Sequence, residues 1–220
     1  MNIAMDDRRA TLFFLNLMSF YSNLIVPYCI ELAMSGSNLE QYRHQLLESV
    51  SGEILEIGFG TGLNLPHYPE SVTKITTIDP NPGMQKLARS RIKESQITVD
   101  YKVLNGESLP MADASFDSVV CTWTLCSIPL VEQAIAEVYR LLKPGGKFFF
   151  IEHGLSYERG IRAWQNRLTP IQKVIADGCH LNRQIDKLVE QQFPNVNIEQ
   201  FYTPKLPKVL GYMYRGIAIK

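Results

Sequence analysis

The sequence predicts an α/β domain: a mostly parallel sheet of seven strands with helices on both faces, preceded by an N-terminal helical extension. Three observations carry this. From residue 52 onward, short runs of β-forming residues alternate with stretches of helical spacing, a glycine-rich loop follows the first run directly, and two further β-like runs close the chain.

The first fifty residues are read as an extension or lid, and residues 51–220 as one domain. Residues 11–18 and 24–28 are apolar, but Asn16, Ser19, Ser22 and Asn23 interrupt them, so the apolar run falls well short of the roughly 20 residues that cross a membrane. Asp6, Asp7, Arg8 and Arg9 do not form the start of a signal peptide. These stretches are expected to be amphipathic helices that pack on the domain or close over it. Peripheral contact with a bilayer surface is the less favoured alternative.

The strands follow in order. Residues 53–57, 74–79, 98–103, 117–121 and 147–151 read as parallel strands, because each is separated from the next by enough chain to return through a crossover. Pro82 opens a helix running to about Lys93, and a second helix over 130–142 is stopped by Lys143-Pro144-Gly145-Gly146. Residues 196–202 and 209–219 read as a final antiparallel pair at one sheet edge, joined by the turn-like Thr203-Pro204-Lys205-Leu206-Pro207. The 220 residues contain no internal repeat.

Lysine plus arginine balances aspartate plus glutamate at 22 each, so no field steers the chain onto nucleic acid. Cys29, Cys121, Cys126 and Cys179 form no CxxC pair, which speaks against a zinc ribbon and a disulfide framework. They are read as reduced thiols of a cytoplasmic protein, with no metal site expected, and nothing in the pattern specifies an oligomeric state.

The chemistry is concentrated in Glu56-Ile57-Gly58-Phe59-Gly60-Thr61-Gly62, placed between a buried strand and a helix. Glycine there removes the β-carbon where the chain turns and a ligand approaches the backbone. The spacing is GxGxG, and Leu63 stands where a dinucleotide fingerprint needs its third glycine, which disfavours a nicotinamide oxidoreductase. Asp79 ends the next strand, 17 residues after Gly62, where a carboxylate can accept from both ribose hydroxyls; capping the following helix is the alternative role.

Preceded by Glu56, this loop resembles motif I of the class I S-adenosyl-L-methionine (SAM) dependent methyltransferases, a Rossmann-like family. Asn105-Gly106-Glu107-Ser108, Phe116-Asp117-Ser118-Val119-Val120 and Leu141-Leu142-Lys143-Pro144-Gly145-Gly146 resemble later segments of the same family, over residues 50–153. The resemblance implies cofactor contacts from Glu56, Gly58, Gly60 and Asn64, from Asp79, Pro80 and Met84, from Gly106, Glu107 and Ser108, and from Thr122. A SAM-binding protein without catalysis is the less favoured alternative.

Outside that core, Ile78-Asp79-Pro80-Asn81-Pro82, Val120-Cys121-Thr122 with Leu125-Cys126-Ser127, Glu152-His153 and Asp177-Gly178-Cys179 resemble the thiol methyltransferase-like branch, methyltransferase-like family seven, with quinone methyltransferases as more distant kin. That branch implies a small, lipophilic acceptor such as a thiol; a quinone ring carbon and a phospholipid amine are the alternatives. That branch carries an N-terminal membrane-spanning segment, and none is expected from the interrupted apolar runs here.

His153, just past the fifth strand, is the candidate base or acceptor-positioning group, against a purely structural histidine. Asp177, with Cys179 and His180, is a candidate cover for the acceptor, against a simple Asp-Gly turn. Cys121 and Cys126 are read as small core hydrophobes. In the extension, Tyr28 is favoured over Tyr21 as the aromatic that closes over the cofactor.

Overall fold

The computed structural model describes residues 21–220, so the apolar run at 11–18 and its proposed bilayer contact lie outside the described residues. A π-helical turn, Tyr21–Ile25, leads into α1 (Val26–Met34), with Pro27 in its first turn where a missing N–H costs nothing. Helix α2 (Ser37–Leu47) follows. Among the described residues, no helix is long and apolar enough to cross a membrane.

The sheet contains β1 (Ile54–Ile57), β2 (Lys74–Ile78), β3 (Thr98–Lys102), β4 (Phe116–Thr122), β5 (Leu142–His153), β6 (Asn195–Tyr202) and β7 (Tyr212–Ile219) in the order β3-β2-β1-β4-β5-β7-β6. Strand β7 runs antiparallel to both β5 and β6, entering between them. The helices between strands are α3 (Pro82–Glu94), α4 (Val131–Leu141), α5 (Arg159–Ile175) and the short α6 (Ile185–Glu190). Two of these, α5 and α6, were not legible in the sequence. Helix α5 is mainly solvent-facing, and its buried residues, Gln165 and Thr169, are polar.

Alternation along the central strands divides the core in two. Val119, Cys121, Phe148 and Phe150 face one side with Ile135 and Val138 of α4, Ile185 and Val189 of α6, and Phe193. Val120, Phe149 and Ile151 face the other with Leu46 and Leu47 of α2 and Ala88 of α3. Strands buried on both faces read as continuous apolar runs, which is why β4 and β5 stand out in the sequence. Because Leu46, Leu47 and Val50 complete the second core, α2 is a layer of the domain itself.

Strand β5 starts five residues earlier than the sequence suggested. Leu142 already pairs with Phe116, and the Lys143-Pro144-Gly145-Gly146 segment bulges before regular pairing resumes at Ser118 with Lys147. Gly145, at φ 79°, takes the left-handed conformation the bulge requires, and its N–H donates to the Lys220 carbonyl at 3.0 Å.

The two-sided burial predicts that Phe149→Ala, at a fully buried position, lowers unfolding free energy by about 3–5 kcal/mol. Trp164→Ala on the exposed face of α5 should change it by no more than about 0.5 kcal/mol. Urea denaturation of the two variants checks this contrast.

Candidate active site

The strand order reverses between β1 and β4, and in open α/β sheets ligands bind in the crevice outside the C-terminal strand ends at such a switch point. A groove of about 520 Å³ bounded by Leu65, Tyr68, Val72, Arg91 and Ile97 lies elsewhere, beside the N-terminal ends of β2 and β3.

The glycine loop forms one wall of the crevice. Gly58, Gly60 and Gly62 all have positive φ, at 75°, 56° and 81°. A β-carbon on Gly58 would sit 2.0 Å from Thr124 Oγ1, so only glycine lets the loops after β1 and β4 meet. At Gly60 the same atom would find nothing closer than 4.0 Å, which leaves a backbone surface open to a ligand. The Gly58 and Phe59 N–H groups donate to the Ile78 carbonyl at 2.9 and 3.1 Å, fixing the loop to the end of β2.

Asp79 completes this wall. Its carboxylate accepts from the Gly60 N–H and the Asn81 N–H, each at 2.8 Å. Asn81, not Asp79, caps α3, accepting from the Gly83 N–H. Burial pushes the Asp79 carboxyl up to about 6 against the pull of those two N–H donors. Pro80 beside it is exposed, and Met84 is buried in the first turn of α3. The Tyr101 hydroxyl is buried with no partner, and burial first, then the Asp79 charge, push its pKa up and keep it protonated.

Three expected cofactor residues lie beneath the loop instead of on its surface. Glu56 is 1% exposed, and both carboxylate oxygens are taken, one by Asn64 Nδ2 and one by the Tyr68 hydroxyl, at 2.8 Å each. Asn64 also donates to Thr122 Oγ1 at 3.0 Å and accepts from Arg43 at 2.8 Å. Burial lifts Glu56 to about 7 and depresses Arg43 to about 10. With their polar atoms paired inside the protein, Glu56, Asn64 and Thr122 form a buried brace for the loop. Arg43 and Tyr68 were not legible as members of this brace, because their partners are 21 and 12 residues away.

In the loop after β3, Gly106 is buried where a β-carbon would meet Ile57 at 3.0 Å. Glu107 is turned away, its carboxylate accepting from the Leu130 N–H at 2.8 Å at the start of α4, and Ser108 is exposed.

The opposite wall follows β4. Trp123 adopts φ 50°, a strained conformation for a bulky residue, beneath the Arg43 guanidinium at 4.5 Å. The next turn is held by Glu152, fully buried at the end of β5, which accepts from the N–H groups of Thr124, Leu125 and Cys126 at 2.9, 2.9 and 3.2 Å. Desolvation raises Glu152 to about 7 despite these three donors. Cys121 donates its thiol to the same carboxylate at 3.6 Å and is a core residue, as expected.

Beyond Glu152 the chain brings together residues the sequence kept apart. One ligating atom from each of Cys126, His153 and Cys179 lies within 4.8 Å of the others. The hydrogen bond between the two thiols raises Cys126 and lowers Cys179 from the ordinary thiol value. Asp177, at φ 44°, is exposed and accepts from Ser22 Oγ at 3.1 Å, so it does not join this cluster. His180 instead bonds backbone carbonyls, of Gly178 at 2.7 Å and Cys126 at 3.1 Å.

Residues 21–25 bridge the two sides of the crevice. The Tyr21 hydroxyl donates to the Ile175 carbonyl at 3.1 Å at the end of α5, while the Ser22 carbonyl accepts from Asn81 at 2.9 Å on the α3 side. Tyr28, the aromatic expected to close over the cofactor, is 55% exposed in the first turn of α1, beyond this bridging segment.

These walls suit SAM: an open glycine backbone, a buried carboxylate for ribose hydroxyls and an unpartnered hydroxyl nearby. A family model of the methyltransferase domain matches residues 55–150. Thiol S-methyltransferase TMT1B of Rattus norvegicus is 42% identical over 79% of this chain and 74% of its own length. The chain is an S-adenosylmethionine-dependent methyltransferase of the branch that holds this relative. The Homo sapiens TMT1B is 34% identical over 88% of this chain and 85% of its own length. Among solved structures, Haemonchus contortus phosphoethanolamine N-methyltransferase 2, in complex with S-adenosyl-L-methionine, superposes with TM-score 0.63 at 16% identity, covering 84% of this chain and 53% of that one.

Two substitutions test this methyltransferase's architecture. Gly58→Ala imposes both a left-handed alanine, costing about 1–2 kcal/mol, and a clash with Thr124, so the urea midpoint should fall. Glu152 has a folded pKa above its ordinary 4.5, so the folded state binds more protons than the unfolded one between 4.5 and about 7. Its contribution to stability is full below 4.5 and is lost as pH rises to about 7. Wild type should accordingly lose stability relative to Glu152→Gln between pH 5 and 7; a constant difference would contradict the shift.

Proposed function

We propose that this methyltransferase S-methylates a small, lipophilic thiol, with His153 promoting the thiolate. The observation that carries the reading is the cluster at the C-terminal end of β5, where a half-buried His153 meets the thiols of Cys126 and Cys179. Relatives named as thiol S-methyltransferases support it. SAM supplies a methyl group already activated on a sulfonium, so the protein's task is to bind, orient and exclude water.

In this reading the backbone at Gly58 and Gly60 receives the amino-acid end of SAM, and Asp79 accepts from the ribose hydroxyls. Pro80 and Met84 flank the nucleoside, and Gly106 and Ser108 border the adenine. Glu56, Asn64 and Thr122 hold that surface in place, and Glu107 fixes the α4 end of it. His153 then promotes loss of the acceptor proton, because the thiolate is the reactive form. Asp177 contributes through Ser22, keeping the closing segment over the crevice. The scattered cysteines, free among the described residues, support a reducing compartment, the cytoplasm, as the setting we propose.

Turnover with a panel of alkyl thiols, quinols and phosphoethanolamine amines, read as S-adenosylhomocysteine formation, tests the acceptor class. Thiols should be methylated; activity confined to a quinol or an amine would overturn the reading. Asp79→Ala should weaken SAM binding by about 1.5–3 kcal/mol in calorimetry. As an acceptor Asp79 must be ionised, so wild-type affinity should fall as pH drops below about 6, and this dependence should vanish in Asp79→Asn. His153→Ala should reduce kcat by about 10²–10⁴ while SAM affinity stays nearly unchanged.

A further inference from the structure

We propose that Cys126, His153 and Cys179 form a zinc site whose fourth position binds the acceptor sulfur. The inference rests on the thiol reading for its fourth ligand, but the three protein ligands stand on geometry alone.

Zinc held by thiolate sulfur at about 2.3 Å and imidazole nitrogen at about 2.0–2.1 Å requires tetrahedral ligand atoms to lie within about 3.3–3.8 Å of one another. Here Cys179 Sγ and His153 Nδ1 are 3.8 Å apart, and the whole trio fits within 4.8 Å. Contraction by an ångström or less brings the three to bonding positions. A cysteine disulfide would involve two of these side chains and would not account for the imidazole nitrogen 3.8 Å from the Cys179 sulfur.

The cluster is assembled from three separate parts of the chain, and each part is fixed by backbone. Cys126 lies in the turn after β4, its N–H held by Glu152, and His153 is the next residue along β5 from that same carboxylate. Cys179 follows two left-handed residues, Asp177 at φ 44° and Gly178 at φ 91°. A β-carbon on Gly178 would come within 3.0 Å of the Ser127 carbonyl, so only glycine allows this close approach. The His180 N–H then donates to the Cys126 carbonyl at 2.8 Å, joining the two cysteine-bearing loops directly. Fixed ligand positions of this kind are what a metal site needs and what ordinary buried cysteines do not.

The donor set selects the metal. Two thiolates and an imidazole are soft and borderline ligands, suited to zinc and unsuited to magnesium or calcium. Two thiolates neutralise the divalent charge, and three protein ligands with one exchangeable position is the pattern of catalytic zinc. The site is also within reach of the donor: Thr124, two residues before Cys126, lies against Gly58 of the SAM loop, its hydroxyl 3.5 Å from the Gly58 carbonyl.

The chemistry balances without an oxidant or reductant. The acceptor thiol loses its proton to solvent on coordination, because a metal-bound thiol is held as thiolate. A sulfur lone pair then forms the new bond to the methyl carbon, and the old sulfonium–carbon bond breaks with its electron pair remaining on the donor sulfur. The products are a neutral thioether, a weak ligand that leaves, and S-adenosylhomocysteine. His153 promotes the thiolate as a ligand in this scheme, not as a free base.

The test is metal content of the full, tag-free protein, purified under reducing conditions and measured by mass spectrometry, with cobalt(II) substitution read from thiolate-to-cobalt charge-transfer absorption. About one zinc per chain and a cobalt spectrum of tetrahedral thiolate type are expected. Cys179→Ser and His153→Gln should each abolish stoichiometric binding while still binding SAM, which shows that they fold. Wild-type protein that takes up neither zinc nor cobalt overturns the site, as does a native Cys126–Cys179 disulfide found by thiol titration and peptide mapping. The two readings separate cleanly. Thiol turnover that persists in demonstrably metal-free protein removes the zinc and leaves thiol methylation standing. Bound zinc with no turnover of any thiol keeps the three-ligand site and removes its acceptor.

Discussion

The carboxylate of Asp79 accepts two backbone hydrogen bonds, one from the glycine loop and one from the start of α3, and the crevice depends on that junction. The Gly60 bond draws the loop toward β2, while the Asn81 bond sets the path into the helix. A loop of positive-φ glycines has no intrinsic reason to hold one shape. Here it is held from one side by Asp79 and the Ile78 carbonyl, and from beneath by Glu56, Asn64 and Thr122. The cost is a pair of carboxylates taken out of water, visible in their raised pKa values.

Glu152 plays the corresponding part across the crevice. Three successive N–H groups converge on it, so the turn after β4 is shaped by a side chain of β5. Arg183 adds a second constraint, donating to the Leu125 carbonyl in the same turn. The position of Cys126 is therefore fixed by groups distant in sequence, and so is its approach to His153 and Cys179. The N-terminal helices are tied to the same frame: Glu31 of α1 pairs with Arg91 of α3 at 2.5 Å, and Arg91 also donates to the Thr61 carbonyl of the glycine loop. Helix α1 and the glycine loop thus share one arginine.

Much of this was legible because it is local. A strand buried on both faces is a run of apolar residues, a loop that must admit a ligand is a run of glycines, and the antiparallel closing pair is two β-like runs about a proline-containing turn. The strand sequence and the register of Glu56 and Asp79 followed from such signals. Helices α5 and α6 did not, since α5 buries only polar Gln165 and Thr169 and α6 spans six residues. Glu56, Asn64 and Thr122 were recognised by motif, yet their orientation was not, because motif position does not reveal which side of a loop a side chain serves.

Sequence alone therefore determined the class of sheet, the place of the SAM loop and the acidic residue beside it, all properties encoded within a few residues of one another. Tertiary structure decided that Tyr21 bonds the end of α5, that Asp177 accepts from Ser22 of the same segment, and that Cys126, His153 and Cys179 converge. No pairwise spacing foretells the last of these: the three residues lie 27 and 26 positions apart along the chain. They meet only because β5 runs beside β4 and the loop after α5 folds back over both strand ends.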